Sequence, residues 1–260
     1  MMRSRYLISL VVAVATPAFA ASPIDGTWKT DLSSIQFTDK PDVLLLKGGT
    51  YVCSSCAPLF SVKADGAFHK LVGIPYIDEA SVKVIDANTV EEVDKLKGKI
   101  VSTQRTSLSP DGKTLSIHWT DSSAPDGTVS RGDATQTRIA EGPVGSHAIS
   151  GSWRTANVAN ISDAVATMVL ATDGDILSMK TPNGYRYDAK LGGAPAAIIG
   201  DNADTKASVR KVGDSYEETD WRDGKIVSVY TMTPTTDGKL KIVSENKLRG
   251  TTTTLMMVRQ

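Results

Sequence analysis

The sequence predicts an all-β protein built as two tandem antiparallel up-and-down β-barrel domains. Three observations lead there. The chain carries two copies of one pattern, each copy alternates strand-like runs with glycine-marked turns, and helix signals are weak. Ile24-Asp25-Gly26-Thr27-Trp28-Lys29-Thr30 returns as Ile149-Ser150-Gly151-Ser152-Trp153-Arg154-Thr155. Glu91-Glu92-Val93-Asp94 returns as Glu217-Glu218-Thr219-Asp220, and Asp111-Gly112-Lys113 as Asp237-Gly238-Lys239. Gly98-Lys99-Ile100-Val101-Ser102 recurs unchanged as Gly224-Lys225-Ile226-Val227-Ser228. Matches that keep both order and spacing mark a true internal repeat.

Residues 1–20 read as a secretory leader. Arg3 and Arg5 precede an apolar stretch over residues 6–15, and Ala18-Phe19-Ala20 offers a small-x-small cleavage pattern after Ala20. The apolar stretch is shorter than the roughly 20 residues a membrane-spanning helix needs. A periplasmic or secreted location is therefore expected. The first domain is expected over residues 21–140, a linker at 141–148 and the second domain over 149–260. Glu141-Gly142-Pro143-Val144-Gly145-Ser146 supplies the linker's composition.

Inside each copy, Lys97-Gly98 and Asp223-Gly224 lie between strand-like runs, where glycine provides the positive φ of a hairpin turn. Ser109-Pro110-Asp111-Gly112 turns the first copy into the alternating run Thr114-Leu115-Ser116-Ile117-His118-Trp119. A short helical turn is expected within residues 163–170. A chain of hairpins must hide its free edges, and closure removes them altogether. Seven or eight strands per copy suit that closure at ordinary strand lengths.

Charge narrows the function. The chain has 29 basic and 29 acidic residues, with no clustered basic face for nucleic acid. Beyond the leader no segment is apolar and long enough to span a bilayer. No nucleophile elbow and no phosphate-cradling loop is present. No motif calls for a cofactor, and His69, His118 and His147 show no metal-ligand spacing.

The two Gly-x-Trp starts, at Trp28 and Trp153, and the arginines near the end of each copy, Arg138 and Arg259, resemble the lipocalin-like (calycin) pattern. That resemblance implies that in each copy the indole closes one end of a barrel beneath a guanidinium from the last strand. The whole chain resembles exported bacterial proteins of lipocalin-like type, which implies a role in binding a small apolar ligand.

Cys53 and Cys56 are the only cysteines, and in an oxidising compartment such a pair most simply forms a disulfide. Redox activity and metal binding stay open as alternatives. The corresponding positions of the second copy read as Ser178 and Thr181. Glu91, Glu92, Glu217 and Glu218 are the candidates for a pocket. Adjacent residues on a strand face opposite ways, so Glu91 and Glu92 cannot share one cavity. An exposed role opposite lysines such as Lys95 or Lys99 is the alternative. The expected function is the binding of a small hydrophobic or amphipathic molecule in a barrel cavity, without catalysis. A non-catalytic envelope module, or a hydrolase or isomerase using a cavity carboxylate, are the other readings.

Overall fold

The computed structural model describes residues 22–260. The leader and its cleavage after Ala20 lie outside the described residues. The chain opens with β1 (Gly26–Phe37). It continues through β2 (Asp42–Lys47), β3 (Thr50–Cys53), β4 (Phe60–Lys63), β5 (His69–Lys70) and β6 (Glu79–Asp86). Next come β7 (Thr89–Leu96), β8 (Lys99–Leu108), β9 (Thr114–Asp121), β10 (Ser130–Glu141) and β11 (Gly151–Ala159). A four-residue helix, α1 (Asp163–Ala166), leads into β12 (Thr167–Asp173), β13 (Ile176–Lys180), β14 (Arg186–Lys190) and β15 (Ala196–Ala197). The chain ends with β16 (Lys206–Val212), β17 (Ser215–Arg222), β18 (Lys225–Pro234), β19 (Leu240–Asn246) and β20 (Thr251–Arg259).

These strands form two antiparallel sheets of ten, more than the seven or eight expected, and each includes one two-residue strand, β5 or β15. Both sheets curl nearly into barrels. In one, bridges Arg186↔Ile199 and Leu191↔Val209 draw the ends together; in the other, Asp65↔Lys83 does so. The hairpins form as the local sequence dictates. Lys97 and Gly98 have φ of 52° and 77°, and Asp223 and Gly224 have 50° and 72°, the paired positive values a two-residue hairpin turn requires.

The sheets do not follow the sequence copies. The order of one is β4-β3-β2-β11-β10-β9-β8-β7-β6-β5, and of the other β14-β13-β12-β1-β20-β19-β18-β17-β16-β15. The opening strands have changed places: β1 pairs with β12 and β20, and β11 pairs with β2 and β10. The expected boundaries, 21–140 and 149–260, are corrected accordingly. The first barrel is the continuous segment 42–159, inserted into the second barrel between its first strand, β1, and its second, β12. Residues 141–148, expected as the linker, do not link the barrels: Glu141 ends β10, and residues 142–150 connect it to β11 inside the first one. The true crossings are residues 38–41 and 160–162. Pro41 holds Lys40 away from helical backbone, which suits an extended crossing rather than a tight turn. Since Ile24–Thr30 and Ile149–Thr155 are near-equivalents, either segment satisfies either sheet edge.

Two cores result. Trp153, Leu115, Val82, Tyr51 and Phe60 pack in the first barrel; Trp28, Leu170, Leu177, Tyr187 and Leu240 pack in the second. The indoles plug the outer ends. Arg138 lies 4.1 Å over the Trp153 ring and Arg259 lies 4.5 Å over Trp28. Each expected element is present, but Trp28 pairs with Arg259 and Trp153 with Arg138, the reverse of pairing within a copy. The glycine of each motif makes room for the guanidinium: a Cβ on Gly26 would lie 2.5 Å from Arg259 Nη1, and one on Gly151 2.9 Å from Arg138 Nη1.

The opposite ends of the barrels face one another. Arg249, between β19 and β20, crosses to the Asp42 carboxylate and donates through Nε to the Ser55 carbonyl at 3.1 Å. Arg222 stacks on Tyr76 from the other barrel, 4.7 Å from the ring centroid.

Candidate functional site

The site is a cavity of about 390 Å³ inside the first barrel, at the end away from the Trp153 plug. That end carries the Lys97-Gly98 turn and the Cys53–Cys56 loop, whereas the plugged end carries Gly112, whose carbonyl accepts from Arg138 Nε at 2.6 Å. Alternation along the strands gives the cavity two kinds of lining. Leu44, Tyr51, Phe60 and Ile117 come from β2, β3, β4 and β9, with Ile74 and Ile77 from the loop before β6. Asp42, Glu92, Gln104, Thr106 and Gln136 add polar atoms from β2, β7, β8 and β10. Arg249 arrives from the second barrel, so part of this mouth is built by the other unit.

Cys53 and Cys56 are joined in a disulfide, Cα atoms 5.4 Å apart, and both line the cavity. Hairpin registers correct their equivalents in the second copy. Lys47↔Thr50 matches Asp173↔Ile176, which aligns Cys53 with Met179 rather than Ser178. A shift of one residue on a strand reverses the face, so this matters for what points inward.

The four glutamates separate by face. Glu91 lies outside, 3.9 Å from Arg105 and opposite Lys83, and Glu217 outside with Arg210 at 2.7 Å. Their partners are thus mainly arginines, not Lys95 or Lys99. Glu92 and Glu218 point inward, and each is joined two residues on by a second carboxyl, Asp94 or Asp220. Burial, with Asp94 beside it, pushes the Glu92 carboxyl up to about 8. Burial also raises Asp94, against a hydrogen bond donated by Ser102 Oγ at 2.6 Å. In the second barrel burial and Asp220 push Glu218 up to about 8, and burial raises Asp220 to about 6. Charging both carboxyls of such a pair in a low-dielectric interior is costly, so each pair holds a proton near neutral pH. Spacing by two along a strand puts Glu92 with Asp94 and Glu218 with Asp220 on one face, a signal present in the sequence that the alternation of adjacent glutamates does not bring out.

The barrels differ in how they fill this space. The registers place Met168 where the first barrel has Asp42, Met257 where it has Gln136, and Tyr230 where it has Gln104. They also place Tyr187 where the first barrel has Phe60. Tyr187 donates its hydroxyl to Glu218 Oε2 at 2.7 Å. The second interior is therefore more apolar and supplies its own donor to its glutamate. The first has no such donor at Phe60.

The larger hollow, about 450 Å³, lies on the outer face among Glu91, Arg105, His118 and Asp133. Within it Arg105 lies 3.9 Å from Glu91, and His118 Nδ1 lies 2.6 Å from Asp133. His69 pairs with Asp65, and His147 meets the Asp86 carbonyl at 2.8 Å. Among the described residues no three His, Cys, Asp or Glu side chains are grouped to hold a metal ion. Nor is any described helix long and apolar enough to cross a membrane.

No protein-family model matches this chain, and no curated protein or solved structure does either.

Proposed function

We propose that the protein binds a small amphipathic molecule in the first barrel, as an exported, lipocalin-like binding protein. The cavity of about 390 Å³, with a mostly apolar lining and a few convergent polar groups, carries this reading. Its size and mixed lining are those of small-ligand sites. The leader-like first twenty residues and the disulfide support an oxidising compartment outside the cytoplasm.

The test is native mass spectrometry on protein purified from its own host, beside an Ile117→Trp variant whose added indole fills the cavity. A co-purifying molecule of a few hundred daltons is expected on the parent protein and not on the variant. A parent protein that carries nothing and binds no apolar fluorescent probe would refute the reading.

A second reading is an isomerase or hydrolase with Glu92 as general acid, favoured by a carboxyl that holds its proton near neutral pH within a cavity. The recurrence of the same pair in the second barrel, where Tyr187 covers Glu218, argues that the pair comes with the fold. A mass change in the bound molecule during incubation would favour the enzyme.

A further inference from the structure

Resting on that binding role, we propose that the first barrel takes an amphipathic amine. The ammonium group hydrogen-bonds to the Glu92 carboxylate and the Gln136 carbonyl oxygen, and the apolar part lies against Leu44, Ile74 and Ile77.

Four features of the cavity specify a cationic donor. Gln136 is buried, and its Nε2 donates to Asp42 Oδ2 at 2.6 Å, which fixes the amide orientation and turns Oε1 away. That Oε1 has no partner among the described residues, a costly state for a buried acceptor. Glu92 gains no compensating hydrogen bond from the described residues, and its counterpart shows what is missing: Tyr187 donates to Glu218, and Phe60 stands in its place. A ligand N–H supplies what the tyrosine hydroxyl supplies in the other barrel. Finally, Asp94, two residues along β7 from Glu92, has an Oδ1 without a partner among the described residues.

Charge selects an amine over an alcohol or an acid. The titratable and charged groups that line the cavity with Glu92 are Asp42 on β2, Tyr51 on β3 and Arg249 from the second barrel, and Asp94 lies beside it on its own strand. Arg249 is taken up by Asp42 and the Ser55 carbonyl. What remains is a proton-sharing pair of carboxyls, which an ammonium ion stabilises and a carboxylate repels. A metal ion would need a ligand grouping that is absent among the described residues. When an ammonium ion binds, Glu92 ionises and its proton passes to solvent, while the ligand keeps all of its own.

The test uses three probes with one tail, octylamine, octanol and octanoate, titrated calorimetrically into the full-length mature protein at pH 7. Octylamine is expected to bind about tenfold more tightly than octanol, and octanoate more weakly than either. Two buffers of different ionisation enthalpy should report proton release with octylamine alone. Glu92→Gln removes that release and the amine preference while leaving octanol within about threefold. Phe60→Tyr, which installs the donor of the second barrel, should also weaken octylamine; it covers the case in which Glu92→Gln fails to fold. Octanol equal to octylamine, or octanoate the tightest, overturns the amine inference and leaves the binding cavity standing. Failure of all three probes overturns both.

Discussion

At the residue scale the interior carboxyls are the most consequential side chains, because they work increasingly against the fold as pH rises from the ordinary carboxyl range toward 8. Glu218 is almost fully buried, and its folded value of about 8 lies above the ordinary 4.5 of an unfolded chain. Below pH 4.5 both states hold the proton and the group is neutral to stability. Between those values the unfolded state releases the proton and the folded state keeps it, so stability falls as pH rises, levelling off above 8. Asp220 acts in the same direction toward pH 6. The expected melting temperature is several degrees higher at pH 5 than at pH 8.5, and Glu218→Gln flattens that slope. Thermal melts across this range check it; a slope unchanged in the variant would refute the assignment. The pairing of Glu92 with Asp94 was legible from period-two alternation alone. The cavity's polarity was not: it depends on Asp42 and Gln136 standing where the second copy has methionines, which only the strand registers reveal.

At the scale of elements, the turns and the Gly-x-Trp starts were legible because they are local chemistry. Lys97-Gly98 and Asp223-Gly224 encode their hairpins in two residues. Which barrel each opening strand joins was not legible, since β1 and β11 present nearly the same inward pattern to either edge. That choice rests on chain connection and packing between the barrels. A crosslink tests it. Lys29 lies opposite Val258, whereas Thr137 lies opposite Arg154, the equivalent of Lys29 in the other opening strand. Cysteines at Lys29 and Val258 are expected to join under mild oxidation, and cysteines at Lys29 and Thr137 are not. Mass spectrometry of peptides would read the pairing, and a link between 29 and 137 would restore the simple tandem order.

For the whole molecule, insertion makes the stability of the barrels unequal partners. While the first barrel is folded, its first and last strands, β2 and β11, are paired, with Asp42 opposite Trp153. The break between β1 and β12 is then spanned as if by a short loop. Once the first barrel melts, the same break becomes a loop of more than a hundred residues, which costs the second barrel about 2 kcal/mol of closure entropy. Single-tryptophan proteins keeping Trp153 or Trp28 report the two barrels separately. Val82→Ala, in the first core, is expected to lower the urea midpoint seen at Trp28 as well as at Trp153. Val209→Ala, in the second, should lower the Trp28 midpoint and spare Trp153. If Val82→Ala moved only the Trp153 signal, the coupling would be absent. Arg249 was equally hidden from sequence reasoning, for it enters the first barrel's mouth only because the exchanged strands bring the barrels face to face.

The exchange of opening strands also sets a calendar for the newborn chain. β20, against which β1 lies, follows it by more than two hundred residues along the chain, so β1 waits for the synthesis of β20 before its barrel can shut. The other barrel needs nothing beyond Ala159 and is free to close midway through synthesis. In that interval β1 has β12 on one side and an open edge on the other, and the β20 it lacks is offered equally by a neighbouring copy of the same polypeptide.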